Sequence, residues 1–424
     1  MTQKPILKVG IISDIQGYPY KADWGFYNLE KTLQVLADKN IDVLLNAGDI
    51  GDNGNDTAAI AYYMELVKKY FPQKLPTQVA CLGNHDFEPR NRVRSQEDCL
   101  NGFFDALGET KEQVQHKVVN GFDFIALSSN LKHNYDKEDC EKLRPFLDKA
   151  VARDPSKPIF VITHYHPGKT VEASFGRDGS ESLRTLLNDY PQVISFSGHS
   201  HSPLTDERCI WQGEFTAINT SGLSYCCVPE KYANGCGPIP PFAREGLFFM
   251  YMEIFEDHVK IHRYNAEDQE EIKPEMAWVI KTPYKPSEAT YTDKRAKTRK
   301  APVFPENSQL IFRYDYGFAY LVFEQAKHED FVHYYRMVIT PIESDIEGTP
   351  IEFRFIGNFY RTKQNRDTRL VFRMPPNTLE AGKRYRIELY PVETFGNEGT
   401  PLSIDIVTVD TYKFRNVAEI GPQE

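Results

Sequence analysis

Six short apolar runs in the first 200 residues each stop abruptly at polar or glycine residues. They are Ile6 to Asp14 (ILKVGIISD), Ile41 to Asp49 (IDVLLNAGD), Gln78 to Asp86 (QVACLGNHD), Phe122 to Asn130 (FDFIALSSN), Pro158 to His164 (PIFVITH) and Val193 to His199 (VISFSGH). Runs this short and continuous are the pattern of strands buried on both faces. Between them apolar residues recur every three or four positions: Phe26, Leu29, Leu33 and Leu36, then Ile60, Tyr63, Val67 and Phe71. Each stretch predicts a helix with one apolar stripe. Strands alternating with helices predict an α/β layered domain, its helices covering a sheet. Past His201 the pattern turns to strands and loops. Gly246 to Glu256 (GLFFMYMEIFE) and Val259 to Tyr264 read as a second sheet of the same domain.

The periodicity fails over residues 265–301, where Glu and Lys dominate and Pro274, Pro283 and Pro286 interrupt. Asp293 to Lys300 holds five basic residues. A solvated linker is the expectation, and a polyanion-binding patch is the alternative. From about Ala301 the chain reads as strands only. Tyr385, Ile387 and Leu389 alternate with Arg384, Arg386 and Glu388, the period of a half-buried strand. Similar runs lie at Gln309–Tyr316, Ala319–Phe323, Tyr335–Ile342, Ile351–Ile356 and Arg369–Met374, spaced as in a β-sandwich. Tyr385 to Ser403, a strand, a Gly-Asn turn and a strand, resembles the last hairpin of fibronectin type III domains. The expected partition is an α/β domain over 1–270, a linker over 271–301 and a fibronectin III-like β-sandwich over 302–415.

With 50 basic and 60 acidic residues the net charge is −10, which argues against a nucleic-acid binder that must neutralise phosphates. The densest apolar patch, Leu247 to Phe255, is nine residues with Glu253 inside, well short of the ~20 needed to span a bilayer. No basic segment, apolar stretch and small-residue cleavage site open the chain, so a cytoplasmic protein is expected. A periplasmic or envelope protein is the alternative if a signal segment is missing. The seven cysteines (Cys81, Cys99, Cys140, Cys209, Cys226, Cys227 and Cys236) form no CxxC pair. Reduced thiols are expected, with a disulfide among Cys226, Cys227 and Cys236 as the alternative.

What ends the strands carries the chemistry. Asp14 and Gln16 follow the first, Gly48-Asp49 with Asp52 the second, and Gly83-Asn84-His85-Asp86 the third. His164 follows the fifth and Gly198-His199-Ser200-His201 the sixth. Open α/β sheets place their sites at these carboxyl ends. Five of the eleven histidines (85, 164, 166, 199 and 201) fall there. A lone histidine beside a strand is more often a hydrogen-bonded structural residue than a ligand. The ordered set is what argues for a metal site.

That set resembles the signature of the calcineurin-like metallophosphoesterase superfamily, D-x-H, G-D-x-x-D, G-N-H-[DE], H, G-H-x-H, over residues 6–265. The chain reads DIQ at 14–16, GDIGD at 48–52, GNHD at 83–86, THYH at 163–166 and GHSH at 198–201. Gln16 stands where most members carry His. This D-x-Q resembles the manganese-dependent ADP-ribose/CDP-alcohol diphosphatase branch. The resemblance implies a four-layer sandwich of two β-sheets flanked by helices, holding two divalent ions. Manganese is favoured, with iron, zinc or magnesium as alternatives. It implies that Asp14, Gln16, Asp49 and His201 hold the first ion, and Asp49, Asn84, His164 and His199 the second. His85 is then free to donate to phosphate or leaving group, with Asp52 holding its ring. His166 is the alternative to His164. Tyr18, Tyr20 and Tyr225 either stack on a base or sugar or are ordinary rim residues.

The expected activity is hydrolysis of a phosphodiester, phosphomonoester or nucleotide diphosphate by a metal-activated hydroxide. The substrate is a small phosphorylated molecule, read as nucleotide-derived in the D-x-Q branch. The alternative is a phosphoesterase fold kept for binding or scaffolding after catalysis decayed, with Gln16 as its first step. A purple acid phosphatase is disfavoured, because that branch needs a metal-binding Tyr three residues past Asp49, where Asp52 stands. Specificity is expected in the loops 17–24, 87–98, 167–180 and 222–245. His328 and His333 have no ligand partners nearby in sequence, so the sandwich is read as a packing, adhesion or oligomer module of unknown partner.

Overall fold

The computed structural model describes residues 3–18, 23–53, 57–87, 95–129, 134–176, 179–229, 238–315, 318–342, 349–366, 369–375 and 378–409. Tyr20, Asn130, Cys236, Tyr316, the end of the expected sandwich at 410–415 and parts of the four expected specificity loops lie outside the described residues. The chain forms two units, one of Met1–Val228 with Pro241–Asp293, the other of Pro229–Pro240 with Lys294–Glu424.

The described residues of the first unit form fourteen strands, numbered in chain order. They are β1 (Leu7–Ile12), β2 (Val43–Asn46), β3 (Thr77–Ala80), β4 (Val114–Val119), β5 (Phe122–Leu127), β6 (Ile159–Thr163), β7 (His166–Pro167) and β8 (Gly179–Ser180). Then come β9 (Val193–Ser197), β10 (Ile210–Gln212), β11 (Thr216–Asn219), β12 (Phe248–Ile254), β13 (His258–Asn265) and β14 (Trp278–Lys281). The helices are α1 (Trp24–Asp38), α2 (Thr57–Tyr70), the single turn α3 (Asn84–Phe87), α4 (Gln96–Leu107), α5 (Lys137–Arg153) and α6 (Glu181–Leu187).

Two mixed six-stranded sheets result, ordered β14-β13-β12-β1-β2-β3 and β10-β11-β9-β6-β5-β4. Parallel pairing joins β1 to β2 and β2 to β3 in one, and β5, β6, β9 and β11 in the other. Every residue of β2, β6 and β9 is buried, as continuous apolar runs require of strands covered on both faces. Phe26, Leu29, Leu33 and Leu36 of α1, Ile60, Tyr63 and Val67 of α2, and Phe103, Phe104 and Leu107 of α4 pack on the first sheet. Leu143 and Leu147 of α5 with Leu183 and Leu187 of α6 pack on the second. Helix, sheet, sheet and helix make the four layers.

Part of the expected linker is sheet. Trp278–Lys281, inside 271–301, adds β14 as the edge strand beside β13. Trp278 is buried under the Arg263 guanidinium, 4.5 Å from the ring centroid, and donates from Nε1 to Glu207 at 3.2 Å. Arg263, itself buried, donates to Glu207 at 2.7 Å, so the charge it brings inside is paired. A strand of four residues leaves too little period-two pattern among prolines and lysines to be read. The basic run beyond belongs to the second unit. Arg295 and Arg299 lie 5.2 and 5.8 Å from the Phe395 centroid, and Asn397 donates to the Ala296 carbonyl. Two of its five cations are thus engaged on their own domain.

The second unit carries β15 (Ile311–Asp315), β16 (Phe318–Phe323), β17 (Val332–Pro341), β18 (Ile351–Ile356), the short α7 (Lys363–Arg366), β19 (Leu370–Arg373), β20 (Arg384–Glu393) and β21 (Leu402–Val407). A three-stranded antiparallel sheet, β15-β16-β19, packs on a four-stranded one, β18-β17-β20-β21. The shared core holds Leu321, Phe323, Tyr335, Met337, Tyr385, Ile387 and Leu389. This three-plus-four division is a fibronectin III-like sandwich. The β20–β21 hairpin pairs Arg384 with Val407 through Leu389 with Leu402. The six described cysteines are free thiols. No described helix is long and apolar enough to cross a membrane.

Candidate metal centre

The carboxyl ends of β1, β2, β6 and β9 meet, and α3 follows β3 into the same place. Backbone hydrogen bonds hold the strand ends in register. Asp14 N–H donates to the Gly48 carbonyl and Gln16 N–H to the Asp49 carbonyl, both at 2.9 Å. Asp14, Gln16, Asp49, His199 and His201 all take positive φ, from 48° to 67°. Each such non-glycine residue costs roughly 1–3 kcal/mol and persists only where its surroundings enforce it. Five together, on the side chains that converge, mark a site built against local preference.

One oxygen or nitrogen each from Asp14, Asp49 and His164 lies within 4.8 Å of the others, all three residues buried. Asn84 adds its amide oxygen, 2.9 Å from His164 Nε2 and 3.0 Å from His199 Nδ1. His201 Nε2 is 3.3 Å from Asp14 Oδ1 and 3.4 Å from Gln16 Nε2. Close approach needs glycine at two positions. A Cβ on Gly83 would lie 2.0 Å from Asp49 Oδ1, and one on Gly48 (φ +96°) 2.8 Å from His164 Nδ1.

The electrostatics fit a cation. Among the described residues no Lys or Arg pairs with Asp14 or Asp49, although both carboxylates are buried. Two buried carboxylates faced by histidines alone are costly to keep charged. Burial pushes Asp14 up to about 7, with His164 opposing and Asp49 assisting. Burial would do the same to Asp49, but His164, His85 and His199 hold it below the usual carboxylate range. For His164, burial disfavours charge and the Asp49 carboxylate overrides it, up to about 9. A proton then stands on the ring where a cation would. Burial pushes His201 down to about 3, keeping it neutral.

Backbone carbonyls fix both tautomers. His164 Nδ1 donates to the Ala47 carbonyl at 2.8 Å and His201 Nδ1 to the Tyr225 carbonyl at 3.0 Å. Each Nε2 therefore turns to the cluster as a ligand should. The donor set of carboxylates, amide oxygen and imidazoles suits zinc, iron, manganese or magnesium rather than a soft ion.

His85 stands apart. Its side chain is 25% exposed against 0% for His164, so it faces the open side. Its N–H donates to Asp49 Oδ1 at 2.8 Å, and its Nδ1 is 3.1 Å from Asp52 Oδ1. Burial lowers it, but the Asp52 hydrogen bond and Asp49 push it up to about 9.

Three other expected residues have definite places. His166, in β7, pairs through Nδ1 with the Ser197 hydroxyl at 2.5 Å. Gln16 accepts from Ser224 at 3.1 Å through Oε1, so its nitrogen faces His201. Tyr225 stacks on the His201 ring at 4.2 Å and 16°, which covers one of its faces.

Sequence reading missed Asp86. Its carboxylate accepts Gly51 N–H at 2.9 Å and Gly83 N–H at 3.0 Å, tying the Asp49 loop to the Asn84 loop. Burial, then Asp49, pushes it up to about 7. Its place as the fourth residue of GNHD was the available signal.

The pattern of the calcineurin-like phosphoesterase family matches residues 7–203. No curated protein matches the sequence. Among solved structures, the chain is similar to a dimetal phosphatase from Danio rerio at 12% identity and a TM-score of 0.44, covering 62% of this chain and 97% of that one. It is similar to a purple acid phosphatase from yellow lupin (Lupinus luteus) seeds at 15% identity, TM-score 0.47, covering 66% and 54%. It is also similar to GAP50, the anchor in the inner membrane complex of Plasmodium, at 17% identity, TM-score 0.42, covering 66% and 90%.

Proposed function

From a calcineurin-like phosphoesterase domain at residues 7–203, we propose a hydrolase that cleaves a phosphodiester, phosphomonoester or nucleotide diphosphate with two divalent ions, manganese favoured. The observation that carries this is the convergence of buried Asp14, Asp49 and His164 with no Lys or Arg partner among the described residues. Asp14, Gln16, Asp49 and His201 would hold one ion, and Asp49, Asn84, His164 and His199 the other. Such ions supply Lewis acidity that polarises a phosphoryl oxygen and acidifies water.

The protein's own groups do the rest. Asp49 would belong to both sets, and its carboxylate accepts the backbone N–H of His85. Held in the charged form, His85 offers Nε2–H to the leaving-group oxygen and gives it the proton as the P–O bond breaks. Asp52 at Nδ1 keeps the ring turned that way.

A scaffold that has lost catalysis is the second reading, favoured by the turn of Gln16 Oε1 toward Ser224. Hydrolysis of bis-p-nitrophenyl phosphate with added manganese separates the two. Turnover above an Asp49→Asn control supports the enzyme, and none across monoesters, diesters and nucleotide diphosphates supports the scaffold.

A further inference from the structure

The Asp52 carboxylate has two oxygens, and the structure gives each a partner. Oδ1 faces His85 Nδ1 at 3.1 Å, and Oδ2 accepts the hydroxyl of Tyr18. Asp52 is buried, whereas Tyr18 is 38% exposed. The pairing follows from the backbone. Gly17 N–H donates to the Ile50 carbonyl at 3.0 Å and Asp52 N–H to the Gly17 carbonyl at 3.3 Å, so segments 16–18 and 50–52 run side by side. That register delivers the phenol to the carboxylate. The Asp52 carbonyl adds a second contact to His85 Nδ1 at 3.2 Å.

We propose that Tyr18 is a positioning residue for phosphoester cleavage, locking the Asp52 carboxylate in the rotamer that aims His85 at the leaving group. Without the phenol, the Asp52 carboxylate loses one hydrogen bond that holds its rotamer and is less firmly kept from turning about its Cβ–Cγ bond, which loosens the grip on His85 Nδ1. A carboxylate that also accepts a phenol is the better-oriented acceptor, since both oxygens are fixed. Tyr18 needs no contact with substrate or ion for this, and it is an alternative to the base-stacking role.

The inference rests on the hydrolase reading, but one of its tests does not. The first compares leaving groups, because help from a general acid matters most where the departing oxygen is strongly basic. Tyr18→Phe should lower kcat about tenfold for a dialkyl phosphate such as dimethyl phosphate, whose leaving oxygen is strongly basic, the effect of about one lost hydrogen bond. It should leave bis-p-nitrophenyl phosphate within about twofold, with KM and metal content unchanged. In a His85→Ala background the same substitution should change nothing further. The second test reads the ring directly. In metal-free protein carrying ¹⁵N-histidine, the Nδ1 signal that vanishes in His85→Ala should shift in Tyr18→Phe.

An equal fall for both ester classes, an additive effect on His85→Ala, or an unmoved Nδ1 signal would overturn the role. If the native protein hydrolyses no ester, the function proposed above fails, while the Nδ1 signal still decides whether Tyr18 orients the ring.

Discussion

His164 donates from Nδ1 to the carbonyl of Ala47 over 2.8 Å, and this bond spans from the end of one sheet to the end of the other. It fixes which nitrogen faces Asp49, 3.4 Å away at Oδ2. A ring held from behind by a carbonyl can present only Nε2, so the fold and the coordination chemistry share one hydrogen bond.

That arrangement ties protons to cations. In the metal-free protein His164, pushed up to about 9 by Asp49 against its burial, is charged at neutral pH, and Asp14, pushed up to about 7 by burial, is partly protonated. A cation must displace these protons, so its affinity should climb from about pH 6 to about pH 9 and then level. Calorimetry at pH 7 in buffers of different ionisation heat should find about one or more protons released per chain. No release would remove His164 from the site. Stability of the metal-free protein runs the other way. A raised folded pKa makes the contribution of His164 complete below its ordinary 6.5 and lost as pH rises through about 9.

Asp49→Asn tests the shared ligand. The substitution keeps shape and an acceptor for His85 N–H but removes the charge that both ion sets would use. Metal content should fall below about 10% of the native protein's, with turnover down by roughly 10²-fold or more, while circular dichroism stays native. Two tightly held ions in this variant, by elemental analysis, would show that Asp49 is not the bridge.

Much of the site was legible because strands buried on both faces leave unbroken apolar runs, so their ends, and the polar residues there, are visible. Other parts were not. Asp14, Gln16, Asp49, His199 and His201 take left-handed backbone, yet sequence points to glycine or asparagine for that conformation. Trp278–Lys281 alternates buried and exposed for only four residues, too few to stand out of a lysine- and proline-rich stretch. Asp86 differs from a solvated aspartate only in the two glycine N–H groups it accepts, and those come from a loop 35 residues away as well as its own.

Asp86→Ala should therefore do more than a surface change. It strands the N–H groups of Gly51 and Gly83 in a buried place, at a cost of about 2–4 kcal/mol in urea unfolding. The Asp49 and Asn84 loops should separate and cation affinity should fall with stability. Asp86→Asn, which keeps one acceptor oxygen, should lose about half as much. Equal stability of Asp86→Ala and the native protein would mean that water replaces the carboxylate.

Gln16 is the last case, since it stands where the family pattern has histidine. Its Oε1 accepts from Ser224 at 3.1 Å and its Nε2 lies 3.4 Å from His201 Nε2. A half-turn of the amide would exchange these atoms, giving the oxygen to an ion and the nitrogen to the Ser224 hydroxyl, which can accept as well as donate. An amide oxygen is a harder, weaker donor than imidazole, so the ion held by Asp14, Asp49 and His201 should bind weakly and favour manganese or magnesium. An ion held by Asp49, Asn84, His164 and His199 would be retained. We expect unequal occupancy, with one ion lost on dialysis and required for full activity. Gln16→His restores an imidazole and should tighten the weak site and move its preference toward zinc or iron, read as the metals retained after dialysis. Ser224→Ala should leave the amide freer to turn and not weaken the site further. An unchanged metal profile in Gln16→His would mean that the amide stays turned toward Ser224 and never ligates, and the reason for favouring manganese would go with it.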